Sequence, residues 1–467
     1  MKRQPLSSSF KDPSGFIFCD NNRLLRQVNL SYKKNYDFLI KSGLYQELVS
    51  EKILIPHKEI KYSVVDANAY KVIEPQKIPF ISYPYEWSFS QLKDAAALTL
   101  KIQKKALEKG MTLKDASNFN VQFNKGRPVF IDTLSFEIYE KGKPWIAYKQ
   151  FCEHFIAPLC LQAFGDVRLS KLLLAYIDGL PLDLTTQLLP FPAKLKPFIL
   201  IHIILHAKTQ KKYSDKPLQI TGKSFSKQLL LELIKNLENG IKSLKLKTNK
   251  TTWSDYYAHN TAVSYKKQSF DEKVKLVSDY LDLIKPKTLW DLGANNGLYS
   301  RLCAKKGIFT VSMDFDPLAI EHNYLKIKQD KEENILPLII DLIQPSPSIG
   351  WENKERSSIF NRTLPDTVMA LALVHHLAIT NNLPLSMLAR FFARISKSLI
   401  IEFVPKEDKQ TQILLKSRED IFPEYTCQNF EKEFRNFFSI KKAVNISGSR
   451  RTLYLMVNKK INEHKKK

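Results

Sequence analysis

Thr288-Leu-Trp-Asp-Leu-Gly-Ala-Asn-Asn-Gly-Leu-Tyr-Ser300 is the stretch that decides how the second half of this 467-residue chain folds. A short apolar run reads as a strand that ends at Asp291. A glycine-interrupted loop follows, and a helix opens near Leu298. At Gly293 and Gly297 a missing Cβ lets the backbone approach a ligand, and the helix N-terminus presents N–H groups without intrahelical partners. The next strand ends in Ser312-Met-Asp-Phe-Asp316. Asp314 thus stands roughly 20 residues past the loop, where a carboxylate can take both ribose hydroxyls of a nucleoside cofactor. The dinucleotide fingerprint is G-x-G-x-x-G. Here Asn295 replaces the middle glycine and the pair reads G-x-x-x-G, which lacks the spacing that favours a pyrophosphate and fits a cofactor with no phosphate.

Working outward, strand-like and helix-like segments alternate from about Thr252 to the end. The strands are expected at Thr288–Leu292, Thr310–Asp314, Leu336–Ile340, Thr367–Leu373 and Leu399–Phe403, then at Ile440–Ile446 and Thr452–Val457. Helices are expected between most of them, including Leu298–Lys305, Pro317–Gln329 and Pro384–Lys397. β-Branched runs alternating with helices predict a mostly parallel sheet covered on both faces, and the last two strands, with no helix between them, predict an antiparallel hairpin.

In loop, acidic strand end and fourth strand, this half resembles class I methyltransferases that use S-adenosyl-L-methionine (SAM). Asp-Leu-Gly-Ala-Asn-Asn-Gly is similar to their first motif and Val-Ser-Met-Asp-Phe-Asp to their second. The resemblance covers about residues 252–467 and implies a seven-stranded Rossmann-like methyltransferase domain. It implies that Asp291, Gly293, Ala294, Asn295 and Gly297 line SAM, that Asp314 holds the ribose and that Asp341, ending Leu-Ile-Ile-Asp-Leu, contacts adenine. The fourth strand, running from Asp366 to Leu377, would then bring its end beside the reacting methyl. The signature for exocyclic base nitrogens is absent there, and His375 and His376 stand in its place. A histidine with an ordinary pKa of ~6.5 suits proton abstraction from a hydroxyl acceptor. Adjacent residues at a strand end point in opposite directions, so one of the two is expected to face the methyl. Glu402, after the fifth strand, is a candidate for lining the pocket or for a surface role. The whole chain also resembles nodulation-type host-specificity methyltransferases, through phrases such as Ile401-Glu-Phe-Val-Pro-Lys-Glu-Asp408 and a front region like Ile81-Ser-Tyr-Pro-Tyr-Glu-Trp-Ser88.

The front half has a different texture. Residues 1–190 mix aromatic-rich alternating runs, such as Val64–Val72 and Pro79–Tyr85, with an amphipathic helix at Ser90–Leu107. Residues 191–250 read as two helices and a linker, with Gly240 as a stop signal and Lys245–Lys250 as the linker itself. Residues 251–467 form the methyltransferase domain. In the front region Asp115-Ala-Ser-Asn-Phe-Asn120 and a glycine-containing hairpin ending at Asp132 resemble the catalytic lobe of kinases. That resemblance implies that Asp115 orients a hydroxyl while Asn120 and Asp132 hold Mg²⁺ around ATP. Leu113 stands where such loops carry His, Thr-Leu follows Asp132 in place of Phe-Gly, and no glycine-rich phosphate loop precedes. The fold expected is therefore α/β, a Rossmann-like domain preceded by an α+β, kinase-like region that presents the acceptor.

Lys and Arg number 72 against 47 Asp and Glu, for a net charge of +25. A field of that sign attracts nucleic acid or phosphorylated substrates, but no arginine-rich run, RNP-type strand or zinc finger accompanies it. Five cysteines at irregular spacing predict neither a disulfide framework nor a metal site. His202 and His206, four apart on a helix, lack the glutamate of a metalloprotease signature and read as helix-face residues. The longest nearly apolar run, Pro197–Ala207, is too short for the ~20 residues of a membrane span, and no apolar stretch follows basic Met1–Phe10; a cytoplasmic protein is expected. Trp253, Tyr256 and Tyr257 either cover the cofactor pocket or dock the linker. The function expected is SAM-dependent methyl transfer to a small-molecule or glycan acceptor at a hydroxyl. The alternatives are an RNA methyltransferase, a kinase-like phosphotransferase with a SAM-binding domain, and a SAM sensor without catalysis.

Overall fold

The computed structural model describes residues 5–62, 66–208, 226–246, 267–416 and 419–460. The chain forms two compact units, one of Met1–Thr248 with Ser348–Ser357 and one of Asn249–Pro347 with Ser358–Lys467.

In the first unit, strands β1 (Gly15–Asp20), β2 (Arg23–Asn29), β3 (His57–Ile60) and β4 (Ala69–Pro75) make an antiparallel sheet in the order β1-β2-β4-β3. Val28, Ile73, Tyr32, Tyr36 and Leu134 pack together at its face. Helix α1 (Phe89–Glu108) starts on a capping box in which Ser88 and Gln91 satisfy each other's backbone N–H groups. Its buried face runs through Leu92, Ala95, Ala96, Leu100 and Leu107. Two short antiparallel pairs follow, Met111–Leu113 with Phe136–Ile138 and Val121–Asn124 with Arg127–Phe130. The run Pro79–Tyr85 forms no strand. It ends in a single 3-10 turn at Pro84–Glu86, where the Glu86 carboxylate accepts from the Tyr83 N–H at 2.9 Å. Prolines 79 and 84 cannot donate to a ladder.

The helical stretch also departs from expectation. Helix α2 (Lys227–Ser243) continues through Gly240. A Cβ there would lie 2.0 Å from the Phe198 ring, so this glycine permits close packing and does not terminate the helix. Before it, Pro197–Ile199 and the wider turns of Leu200–Leu205 make one helical segment. No helix among the described residues is long and apolar enough to cross a membrane.

The second unit holds a seven-stranded sheet. After helix α3 (Lys267–Ile284) come β5 (Thr288–Leu292), helix α4 (Leu298–Lys305), β6 (Phe309–Asp314), helix α5 (Pro317–Asp330) and β7 (Ile335–Ile339). Then follow β8 (Thr367–Ala370), helix α6 (Leu385–Ile395), β9 (Ser398–Phe403), helix α7 (Lys409–Leu415), helix α8 (Cys427–Arg435), β10 (Phe438–Asn445) and β11 (Thr452–Asn458). Their order across the sheet is β7-β6-β5-β8-β9-β11-β10. The first five are parallel, while β11 runs antiparallel to β9 and pairs with β10 as the expected hairpin. Because β11 inserts beside β9, β10 becomes the edge. Leu289, Met369, Ile400, Leu453 and Leu455 from the sheet pack on Val277, Leu281 and Cys303 from α3 and α4.

The chain steps outward from β5 to β6 and β7 and then crosses back to β8. The strand order therefore reverses between β5 and β8, and ligands of open α/β sheets bind outside the carboxyl ends of the strands at such a point. Replacing the buried Ser88 by Ala, which removes the cap of α1, is expected to cost about 1 kcal/mol. A lowered urea midpoint with unchanged far-ultraviolet dichroism would register it.

Candidate functional site

The loop after β5 is held by the end of β6. Gly293 and Ala294 both donate their N–H groups to the Met313 carbonyl, at 2.9 and 3.0 Å. Asn295 donates its own to Asp314 Oδ2 at 2.8 Å. To reach these acceptors the chain takes left-handed φ values of 72° at Gly293, 50° at Asn295 and 80° at Gly297. Gly297 is also sterically fixed, because a Cβ would stand 2.5 Å from Asn323 Nδ2. Asp291 lies behind this loop, fully packed. Its carboxylate accepts the Ser300 hydroxyl at 2.6 Å, and burial pushes its pKa up to about 7. Asp291 therefore binds β5 to α4 from within and does not reach the cavity.

A cavity of about 510 Å³ opens at the carboxyl ends of the strands. That is within the ~300–1,000 Å³ usual for small-molecule sites. Gly293 and Asn295 line it from the first loop, Asp314 and Phe315 from the second, and Ile340 through Ile343, which includes Asp341, from the third. Asp314 is nearly buried; Oδ2 accepts the Asn295 N–H, Oδ1 the Asp316 N–H at 2.9 Å, and the Phe315 backbone also bonds the carboxylate. Burial pushes its pKa up to about 6. Asp341 is less buried, with Oδ1 accepting from Ile343 N–H at 2.9 Å. Ala294 and Gly297 shape the loop without lining the cavity.

Beyond β8 the geometry differs from the expected strand end. The strand stops at Ala370, Ala372 turns left-handed at φ 49°, and His375 opens a wide helical turn. Strand alternation does not apply to such a turn, and both imidazoles line the cavity with ring centroids 4.2 Å apart. His375 is 1% exposed and its Nδ1 has no hydrogen-bond partner. Burial, with His376 and Arg451 adding to it, holds the His375 pKa well below the ordinary histidine value. Burial lowers that of His376 too.

Glu402 neither lines the cavity nor reaches the surface. It is wholly buried and its Oε2 accepts both Lys273 Nζ at 2.6 Å and the Ala372 N–H at 2.7 Å. Arg451 Nη1 stands 3.6 Å from Glu402 Oε1. The guanidinium also forks onto Asp408, with Nε and Nη2 at 2.7 and 3.0 Å from its two oxygens. Arg451 lines the cavity near Thr380, Asn381 and Gln410. No sequence pattern singles out Lys273 or Arg451. A lysine on the inner face of an amphipathic helix and an arginine at the start of a buried strand are the only signals they give.

The front-region residues also come together, in the first unit. Asp115 is hydrogen-bonded to Asn120 and Gln150, and burial, then the charge of Asp132, raises its pKa. Asn120 Nδ2 donates to Ser135 Oγ at 3.2 Å, and Ser135 donates to Asp132 at 2.8 Å. Burial would raise the pKa of Asp132, but Arg26, at 2.5 Å, keeps it lowered. An arginine thus sits on the carboxylate that the resemblance assigns to a metal ion. Among the described residues no group of three or more His, Cys, Asp and Glu is arranged to hold a metal. His202 bridges Tyr148 and Asn236, and His206 stacks on Tyr148, as packing residues do. Trp253, Tyr256 and Tyr257 lie outside the described residues.

No protein-family model matches the chain. It is 33% identical over 458 residues to the nodulation protein NoeA of Rhizobium meliloti (strain 1021), a match covering 96% of this chain and 95% of that protein. Among solved structures, the bifunctional kinase-methyltransferase WbdD matches at a TM-score of 0.30 and 18% identity over 40% of this chain, and the match spans 39% of WbdD. The magnesium protoporphyrin IX methyltransferase ChlM of Synechocystis PCC 6803 with bound SAH matches at 0.30 and 18%, over 41% of this chain and 83% of its own. The N-methyltransferase NodS of Bradyrhizobium japonicum WM9 matches at 0.31 and 11%, over 41% and 98%.

The raised pKa of Asp291 has a thermodynamic consequence. A carboxyl whose folded pKa lies above its unfolded value contributes stability that is complete below the unfolded pKa near 4. That contribution is lost as pH rises through the folded value near 7. Asp291→Asn does not titrate, so wild type is expected to lose about 1–3 kcal/mol relative to this variant between pH 4 and pH 8. Paired urea titrations at the two pH values measure it, and an unchanged difference would mean the carboxyl is not desolvated.

Proposed function

The chain belongs to the family of the nodulation protein NoeA, and from that premise and the cavity's geometry we propose that it is a SAM-dependent methyltransferase acting on a small-molecule or glycan hydroxyl. The observation that carries this reading is the pairing of bare backbone at Gly293 with the Asp314 carboxylate on one cavity wall. The fit is specific. A Cβ on Gly293 would come 3.3 Å from Leu373 Cδ1 and narrow the wall. The Asp314 carboxylate accepts backbone N–H groups from the loops around it, and its remaining lone pairs are the acceptors offered to the ribose. Ile340, Leu342, Ile343 and Phe315 supply an apolar wall for a base, with Asp341 at its rim as acceptor for an exocyclic amine. SAM, when bound, supplies an electrophilic sulfonium methyl.

The remaining chemistry belongs to the chain. His375, kept neutral by burial, accepts the proton of the acceptor hydroxyl at its unpartnered Nδ1. His376, whose ring lies tilted 40° against it, restricts where the acceptor lies. Leu371, Leu373 and Leu377 exclude water from the same end of the cavity, which leaves the nucleophilic oxygen poorly solvated and held in position. The front unit, in this reading, presents the acceptor and transfers no phosphate, since Arg26 already neutralises Asp132.

Gly293→Val and Asp314→Ala are each expected to weaken SAM binding at least tenfold, ~1.4 kcal/mol. Unchanged calorimetric affinity in both would remove the cofactor assignment. His375→Ala is expected to lower kcat at least ~100-fold, the lower end for a general base, with SAM affinity within threefold of wild type. Because the His375 pKa is lowered, kcat at saturating SAM should hold steady as pH falls past 6.5 and drop only as pH nears that lowered value. Methyl-labelled SAM incubated with a fractionated cell extract identifies the acceptor, and the absence of label in every fraction would reduce the protein to a SAM-binding module.

A further inference from the structure

The cavity's charge does not follow the chain's. Although the chain carries +25, the charged side chains among the described residues of the cavity wall are Asp314, Asp341 and Arg451. Asp314 and Asp341 stand at the end assigned to the nucleoside. Arg451 stands at the other end, with the histidines, Gln410, Thr380 and Asn381. Its charge is offset where it lies. Asp408 takes the guanidinium in a two-point fork at 2.7 and 3.0 Å, while Glu402 sits 3.6 Å from Nη1 and is itself paired with Lys273 at 2.6 Å. Arg451, Lys273 and Glu402 are at most 4% exposed. Two cations and two carboxylates thus form an electrically neutral array at the acceptor end, with Arg451, Lys273 and Glu402 buried and Asp408 partly exposed.

We infer that this end of the cavity takes an uncharged, hydroxyl-bearing acceptor, and that the Lys273–Glu402–Arg451–Asp408 array selects it. The inference rests on the methyltransferase reading and deepens it. An acceptor phosphate or carboxylate would have to leave water for a guanidinium whose field two carboxylates already cancel, and burial of a charge is repaid only by an uncompensated partner. A cationic acceptor would meet Arg451 directly. A neutral hydroxyl needs only hydrogen-bonding groups, and Thr380, Asn381 and Gln410 are such groups at that wall. The guanidinium plane is set by the Asp408 fork. Asp408 also caps helix α7 by accepting the Gln410 N–H at 2.9 Å, so one side chain fixes both Arg451 and the segment that carries Gln410.

The test divides a deproteinised, low-salt extract of cells that make the protein over anion and cation exchangers, and offers the protein methyl-labelled SAM with the neutral, anionic and cationic pools separately. The neutral pool should take at least tenfold more label than either of the others. Asp408→Asn keeps the helix cap, because Asn caps as well as Asp, but leaves Arg451 one charge undercompensated. It should raise labelling of the anionic pool about tenfold while SAH, titrated by calorimetry, binds within twofold of wild type. Glu402→Gln removes the same charge from the other side and is read in the same way should the first variant fail to fold. Wild-type label chiefly in the anionic or cationic pool overturns the inference and leaves methyl transfer standing. Unchanged pool preference in a variant that still binds SAH overturns the role of the array. No label and no SAH binding overturn the methyltransferase reading and this inference with it.

Discussion

Two acceptors at the end of β6, the Met313 carbonyl and the Asp314 carboxylate, hold three successive N–H groups of the loop after β5. That is the constraint from which the cavity follows. Glycine takes the left-handed conformation freely at 293 and 297, so the strained member is Asn295 at φ 50°, and it is held there by the bond from its N–H to Asp314. The loop is thereby drawn across the top of the sheet, α4 starts where Gly297 clears Asn323, and Asp291 is sealed behind it against Ser300. Asp314 consequently does two jobs. It organises the first loop through backbone N–H groups and still presents carboxylate lone pairs to the cavity.

A second constraint comes from the buried charges at the opposite end. Glu402 accepts the N–H of Ala372, a residue in left-handed conformation immediately past β8. The same carboxylate oxygen holds Lys273 from α3. The turn that carries His375 and His376 is therefore pinned by an ion pair with no route to solvent. Charges buried this way contribute little net stability, since desolvation offsets much of their attraction. What they fix is position, here the position of two histidines and one arginine around a single opening. The local charge differs from the bulk: a chain of +25 has a cavity wall with two aspartates and one compensated arginine.

Much of the second unit was legible from residue types alone. β-Branched runs bounded by Gly and Asp located four of the five parallel strands to within one residue, because a strand buried on both faces has to be apolar along its length. The glycine pair and Asp314 were legible because left-handed backbone and close approach leave few residue choices. Where the reading failed, competing packing decided. Gly240 looks like a helix stop, but it serves the Phe198 ring. His375 and His376 look like the end of a strand, yet the chain leaves β8 at Ala370 because Glu402 captures the Ala372 N–H. Pro79–Tyr85 alternates like a strand and has no ladder to join.

The sequence by itself determined the order of strands and helices in the second unit, the glycine loop and the carboxylates that line one side of the cavity, and the family to which the chain belongs. Each of these is written in local spacing or in direct similarity. Only the tertiary structure decided the opposite side of the cavity. Lys273, the Glu402–Asp408 segment and Arg451 are far apart along the chain. They meet because β11 inserts antiparallel beside β9, with Thr452 opposite Phe403, which turns the start of β11 toward the carboxyl ends of the parallel strands. Strand order and direction arise from long-range pairing, and no local pattern around Arg451 encodes them.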